Sequence, residues 1–187
     1  MNIVLFGPPG AGKGTQSQYL VKKLNGFQIS TGDMLRNEIK INSEIGKKIN
    51  QDMNDGHFIS DDIVNNLIKN VVFDPKKKGK LIFDGYPRTL SQAKNLDLIL
   101  ENSNQNIDFI FFLNVNKDTI IKRVEKRKNL ENRLDDNLET ILKRYDVYMK
   151  TTKPVLDFYS KNSNFYEIDG TLKIDEITAK IDAFLNV

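Results

Sequence analysis

The chain contains no cysteine. Disulfides and thiolate-bound zinc are excluded by that alone, and a chain without thiols is expected in a reducing compartment. Long apolar runs are also missing. The longest beside a strand-like segment is Phe109 to Leu113, FIFFL, against the roughly 20 residues a membrane-spanning helix needs. The N-terminus has no basic stretch followed by a long apolar one, so no signal peptide is expected and the protein is expected in the cytoplasm. Charge of either sign barely dominates. Lys and Arg number 28 and Asp and Glu 25, for a net charge of +3. That excess is too small for a nucleic-acid surface, and aromatic residues do not alternate with basic ones as a base-stacking platform requires. Internal repeats and low-complexity linkers are absent as well. What remains is 187 residues, 39% of them hydrophobic, enough to bury one core with small insertions.

Five short apolar runs read as strands: Asn2 to Phe6, Phe27 to Ser30, Lys80 to Asp84, Phe109 to Val115 and Asn164 to Ile168. They are nearly continuous in apolar character, as strands covered on both faces should be. Helical spacing of apolar residues marks 13–24, 89–100 and 137–150. Strand–helix alternation predicts an α/β fold with a parallel sheet between two helical layers. Two stretches interrupt it. Residues 33–73 hold several helices and no strand, and 128–136 are polar between two helices. The lysine-rich run Lys76 to Lys80 reads as a solvated loop.

The first strand runs into GPPGAGKGT, Gly7 to Thr15. Gly7, Gly12 and Lys13 satisfy G-x-x-x-x-G-K, between a strand and a helix, which is the context a phosphate-binding loop requires. Glycines let consecutive amides turn toward an anion, the helix adds its positive end, and lysine adds a charge. One departure is plain: Gly14 stands where a magnesium-holding Ser or Thr usually follows the lysine, and Thr15 comes next. Asn116 to Thr119, NKDT, lacks the Asp of a guanine-binding motif and reads as a helix cap.

A second set of residues suits a second phosphate. Asp84 ends a strand at the edge where parallel sheets bind ligands, and its carboxylate can hold the water shell of magnesium. Gly85, Tyr86 and Pro87 bring the backbone close, and Arg88 offers a planar fork. Ser30 or Thr31 can cap the helix that carries Arg36, another anion site. Arg123 and Arg127 share a helical face, Arg133 follows in the polar stretch, and Asp136 with Glu139 suggests a capping box before Arg144.

Taken in order, GPPGAGKGTQ, ISTGDMLR, FDGYPRT with Gln92, RLDDN and DGT (Asp169 to Thr171) resemble the adenylate kinases, within the nucleoside monophosphate kinases. The resemblance runs through essentially the whole chain. It implies a P-loop fold with a five-stranded parallel sheet, divided into a core (1–29, 60–125 and 137–187), a monophosphate-binding insertion (30–59) and a short lid (126–136) without zinc. By matching positions, Gly10, Ala11, Gly12, Lys13, Gly14, Thr15, Arg123 and Arg127 are expected on ATP, with backbone near Leu172 at its adenine. Thr31, Arg36, His57 (through its main chain), Phe58, Ile59, Gly85 to Arg88 and Gln92 are expected on AMP. Arg133 and Arg144 are expected to reach AMP and the moving phosphoryl group, and Asp135 to orient the lid arginines. Lys13, Arg88, Arg123, Arg133 and Arg144 form the expected catalytic set, with magnesium bound alongside ATP through Asp84 and water.

The implied reaction, ATP plus AMP to two ADP, attacks with a phosphate oxygen already ionised near neutral pH, so no general base is expected and none is found. The protein is expected to act on these small nucleotides as a monomer, with no nucleic acid or membrane partner. Two alternatives stay open: a UMP/CMP kinase of the same family, which tends to carry Ala at the place of Thr31, and a P-loop nucleotide-binding switch without turnover.

Overall fold

The computed structural model describes residues 1–77, 80–131 (for 127–131 the backbone alone) and 138–185. Its centre is a five-stranded parallel sheet of β1 (Asn2–Phe6), β2 (Phe27–Ser30), β3 (Leu81–Asp84), β4 (Phe109–Asn114) and β5 (Phe165–Asp169), in the spatial order β2-β3-β1-β4-β5. The central strand β1 pairs Val4 with Phe83 on one side and with Ile110 on the other. Alternate residues of that strand serve two cores. Val4 and Phe6 pack with α4 (Asp61–Val72), α5 (Leu90–Asn102) and α8 (Lys153–Tyr159). Ile3 and Leu5 pack with α1 (Lys13–Leu24), α6 (Lys117–Glu131) and α9 (Ile174–Leu185). Burial on both faces is why the strands read as unbroken apolar runs rather than alternating ones.

The predicted strands are all present, with ends moved by at most one residue. Lys80 stays outside β3 and only lends its carbonyl to the Phe27 amide at 2.8 Å. Between β2 and β3 the chain forms α2 (Thr31–Lys40), α3 (Glu44–Asn54) and α4. Ser30 caps α2 through its hydroxyl, which accepts from the Asp33 amide at 3.3 Å, and Ser43 caps α3. Asn116 caps α6 by accepting from the Thr119 amide at 2.9 Å, which confirms NKDT as a cap. Helix α7 (Leu138–Thr151) ends just before α8, where Pro154 sits in the first turn. Among the described residues, no helix is long and apolar enough to cross a membrane.

From β1 the chain crosses toward the β2 edge, and from β4 toward β5. Adjacent strands whose connections depart in opposite directions leave a crevice at their C-terminal ends. The glycine loop lies there, with the end of β3 beside it.

Candidate active site

The loop after β1 needs backbone that only glycine adopts cheaply. Gly10 has φ 82° and Gly12 has φ 96°. Gly12 is the N-cap of α1 and brings no capping side chain. The amides of the first turn are therefore left for a ligand, at the positive end of a helix. They border an open cavity whose wall includes Gly10 to Gln16. Lys13 Nζ donates to the carbonyls of Gly7 at 2.7 Å and Pro8 at 3.1 Å, which holds the ammonium at the root of the loop. Across the cavity, the Arg123 guanidinium donates to the Ala11 carbonyl at 3.2 Å and to the Leu172 carbonyl at 3.4 Å. One side chain of α6 thus ties the loop to the segment between β5 and α9. Asp84 enters the same cavity from β3. Its Oδ2 accepts from Gln28 Nε2 at 3.3 Å and lies 3.6 Å from where a side chain at Gly14 would begin.

A second cavity opens between the α2–α3 insertion and the helices α4, α5 and α7. Leu35, Met53, Ile59 and Val64 give it an apolar wall, and Thr31, Arg36, Arg88 and Gln92 give it polar groups. Thr31 Oγ1 donates to the Gly85 carbonyl at 2.8 Å. Arg88 is fixed along its length. Its amide donates to Gln92 Oε1 at 2.7 Å, its Nε to the Gly85 carbonyl at 2.7 Å, and its own carbonyl accepts from Thr152 Oγ1 at 3.1 Å. Burial, then the neighbouring Arg144, push its pKa down to about 10, against the pull of Asp84. The guanidinium still carries its full charge at neutral pH. Arg36, on the same wall, pairs with Asp33 at 2.6 Å, and the buried guanidinium of Arg88 beside it makes this wall suited to a phosphate.

The two cavities meet. Lys13, Arg36, Arg88 and Arg144 line both, together with Pro9, Gly32 and Gly85. Four cationic side chains at a shared wall suit phosphate groups that meet there from the two cavities.

The chain matches the family model described as adenylate kinase over residues 5–164. It is 47% identical to the adenylate kinase of Pelagibacter ubique (strain HTCC1062), with all of both chains covered. It is 42% identical to that of Maricaulis maris (strain MCS10), over 99% of this chain and 98% of the relative. With the adenylate kinase of Mycoplasma mycoides subsp. mycoides SC it shares 40% identity, over 96% and 94%. The chain belongs to the adenylate kinase family. It is accordingly a phosphotransferase.

Within this adenylate kinase family member, most residues expected from the sequence do gather. Gly10 to Thr15 and Arg123 line the first cavity, and Thr31, His57, Phe58, Ile59, Tyr86, Pro87 and Gln92 line the second. The His57 imidazole is exposed, with Nδ1 3.4 Å from Asp52, and His57, Phe58 and Ile59 all border the second cavity. Leu172 is absent from the walls of these two cavities, where Ile174 and Ile177 stand in the first, and its backbone carbonyl accepts from Arg123. Arg133, Asp135 and Asp136, and the side chain of Arg127, lie outside the described residues. Three contributors were not expected from the sequence. Thr152 holds the Arg88 carbonyl, Gln28 holds Asp84, and Asp61 holds Gln92. The proline after Thr152 was a visible sign of a helix break, but nothing local pointed to its partner.

Proposed function

We propose that the enzyme transfers the terminal phosphoryl group of ATP to AMP, reversibly, giving two ADP. The observation that supports this most is the common wall of the two cavities, where Lys13, Arg36, Arg88 and Arg144 stand together. ATP would take the glycine-loop cavity, its phosphates against the amides of Lys13 to Thr15 and against Arg123. AMP would take the second cavity, its phosphate between Arg36 and Arg88 and its base toward Gln92. An ionised oxygen of the AMP phosphate attacks the terminal phosphorus of ATP; the bond to the bridging oxygen breaks, and ADP leaves with that electron pair. No proton has to move, because the nucleophile is already ionised. The obstacle is repulsion between polyanions, and fixed cations in a water-poor cleft lower it while holding the two reactants in line.

Magnesium fits as a companion of ATP rather than as a resident of the protein. Among the described residues no group of three metal-ligating side chains occurs; of the two carboxylates on the cavity wall, Asp33 pairs with Arg36 at 2.6 Å and Asp84 stands at the end of β3 beside the glycine loop. One carboxylate suits a cation that keeps most of its waters, and the ion supplies further neutralisation of phosphate charge when bound. We infer further that the enzyme works on these small nucleotides as a cytoplasmic monomer.

The test is ADP formation from ATP with each nucleoside monophosphate in turn, with and without magnesium. AMP is expected to be used far better than UMP or CMP, and only with magnesium present. Preference for a pyrimidine monophosphate would reassign the acceptor, and nucleotide binding without turnover would point to a switch.

A further inference from the structure

Gln92 lies in the first turn of α5, is 1% exposed, and borders the second cavity. Its amide is held at both ends. Oε1 accepts from the Arg88 amide at 2.7 Å, and Nε2 donates to Asp61 Oδ1 at 2.7 Å. A backbone N–H only donates and an ionised carboxylate only accepts, so both partners select one orientation of the amide. Turned over, the side chain would set N–H against N–H and oxygen against carboxylate. One N–H and one lone pair of Gln92 remain for a ligand, in a fixed order.

Asp61 does not border the cavity. It is the first residue of α4, and its second oxygen accepts from Thr89 Oγ1 at 2.8 Å. Thr89 in turn caps α5 by accepting from the Gln92 amide at 3.1 Å. One carboxylate therefore fastens both the side chain of Gln92 and the turn that carries it. Its charge is also favourable at the N-terminal end of both helices.

We propose that Asp61 is a specificity-determining positioning residue, which holds the Gln92 amide in the orientation that accepts a 6-aminopurine and refuses a 6-oxopurine. The proposal rests on the reading of Gln92 as the group that faces the base of the acceptor nucleotide. A 6-aminopurine offers a ring-nitrogen acceptor beside an amino donor. A 6-oxopurine offers a ring N–H donor beside a carbonyl acceptor, the same edge in reversed order. A side-chain amide pairs with either edge if it is free to turn, and with only one if it is not. Removal of Asp61 leaves the Arg88 amide as the sole orienting partner.

The test compares AMP with inosine monophosphate as acceptor, with ATP as donor, in the wild type and in Asp61→Leu, Asp61→Asn and Gln92→Leu. Asp61→Leu is expected to lower the AMP-over-inosine-monophosphate ratio of kcat/KM about tenfold, the scale of one hydrogen bond to a charged group. The KM for ATP and the kcat at saturating AMP should stay within about threefold, a split that general loosening of the fold would not give. Asp61→Asn keeps an acceptor for Nε2 and should retain the ratio within about threefold. Should Asp61→Leu fail to fold, Asp61→Ala gives the same reading. An unchanged ratio in Asp61→Leu beside a lowered one in Gln92→Leu overturns the role of Asp61. An unchanged ratio in Gln92→Leu shows that Gln92 does not read the base, and the proposal falls with that reading.

Discussion

At Lys13 one ammonium group rests on two carbonyls of the glycine loop, at the wall common to both cavities. Replacing it with methionine keeps the length and removes the charge. Turnover by Lys13→Met is expected to fall at least ~100-fold, the scale of one lost transition-state donor. Near-normal kcat in the folded variant would contradict the placement. Arg88 is fastened to Gly85, Gln92 and Thr152, so Arg88→Ala should raise the KM for AMP well above its effect on ATP binding, as initial rates at varied AMP and varied ATP would show. Equal effects on both substrates would move Arg88 to the donor side. At this scale the sequence was legible wherever the chemistry is local. The glycines, Lys13 and Thr15 lie within one loop and the first turn of the helix it opens, and GYPR lies at one strand end. It was not legible where a side chain acts through a distant one. Asp61 lies 31 residues from Gln92, and Thr152 lies 64 from Arg88. No spacing rule joins such pairs before the fold brings them together.

Among the elements, α2 and α3 form the wall of the second cavity and depend on close contact at Gly46. A β-carbon there would run into the Glu38 carbonyl oxygen, so even alanine must force the two helices apart. Overpacking of this kind costs about 1–3 kcal/mol. Gly46→Ala is expected to lower the thermal midpoint and raise the KM for AMP, with the KM for ATP nearly unchanged. A midpoint and AMP KM equal to the wild type would show that the helices adjust freely. The strands were read correctly to within a residue at their ends because burial on both faces leaves a simple apolar signature. Helix α8 has seven residues, about two turns, too few to show a period. Helix α9 carries Ile177, Ile181 and Leu185 in helical spacing, yet no chemical motif falls on it and the sequence expectations lack it.

For the whole molecule, two cores on opposite faces of one sheet bring three loops to one edge and bury phenols in doing so. Burial pushes Tyr86 up to about 12 and raises Tyr148 and Tyr159 as well. In the unfolded chain these phenols lose their protons near pH 10. Their contribution to stability is therefore whole below about pH 10 and is lost as the pH rises through the higher folded values. The thermal midpoint is expected to fall steadily between about pH 10 and pH 12; a flat midpoint over that range would contradict the sign. The two-sided architecture was legible from strand–helix alternation. That the cavities share their cationic wall was not, because Arg36, Arg88 and Arg144 meet Lys13 only in the folded chain. That shared wall is the central claim, and calorimetric titration with a dinucleotide whose two adenosines are joined by a polyphosphate tests it most directly. The account predicts one molecule bound per chain, tighter than ATP or AMP alone, excluding both and much weakened by Arg88→Ala. A complex that still binds AMP at full affinity would contradict it.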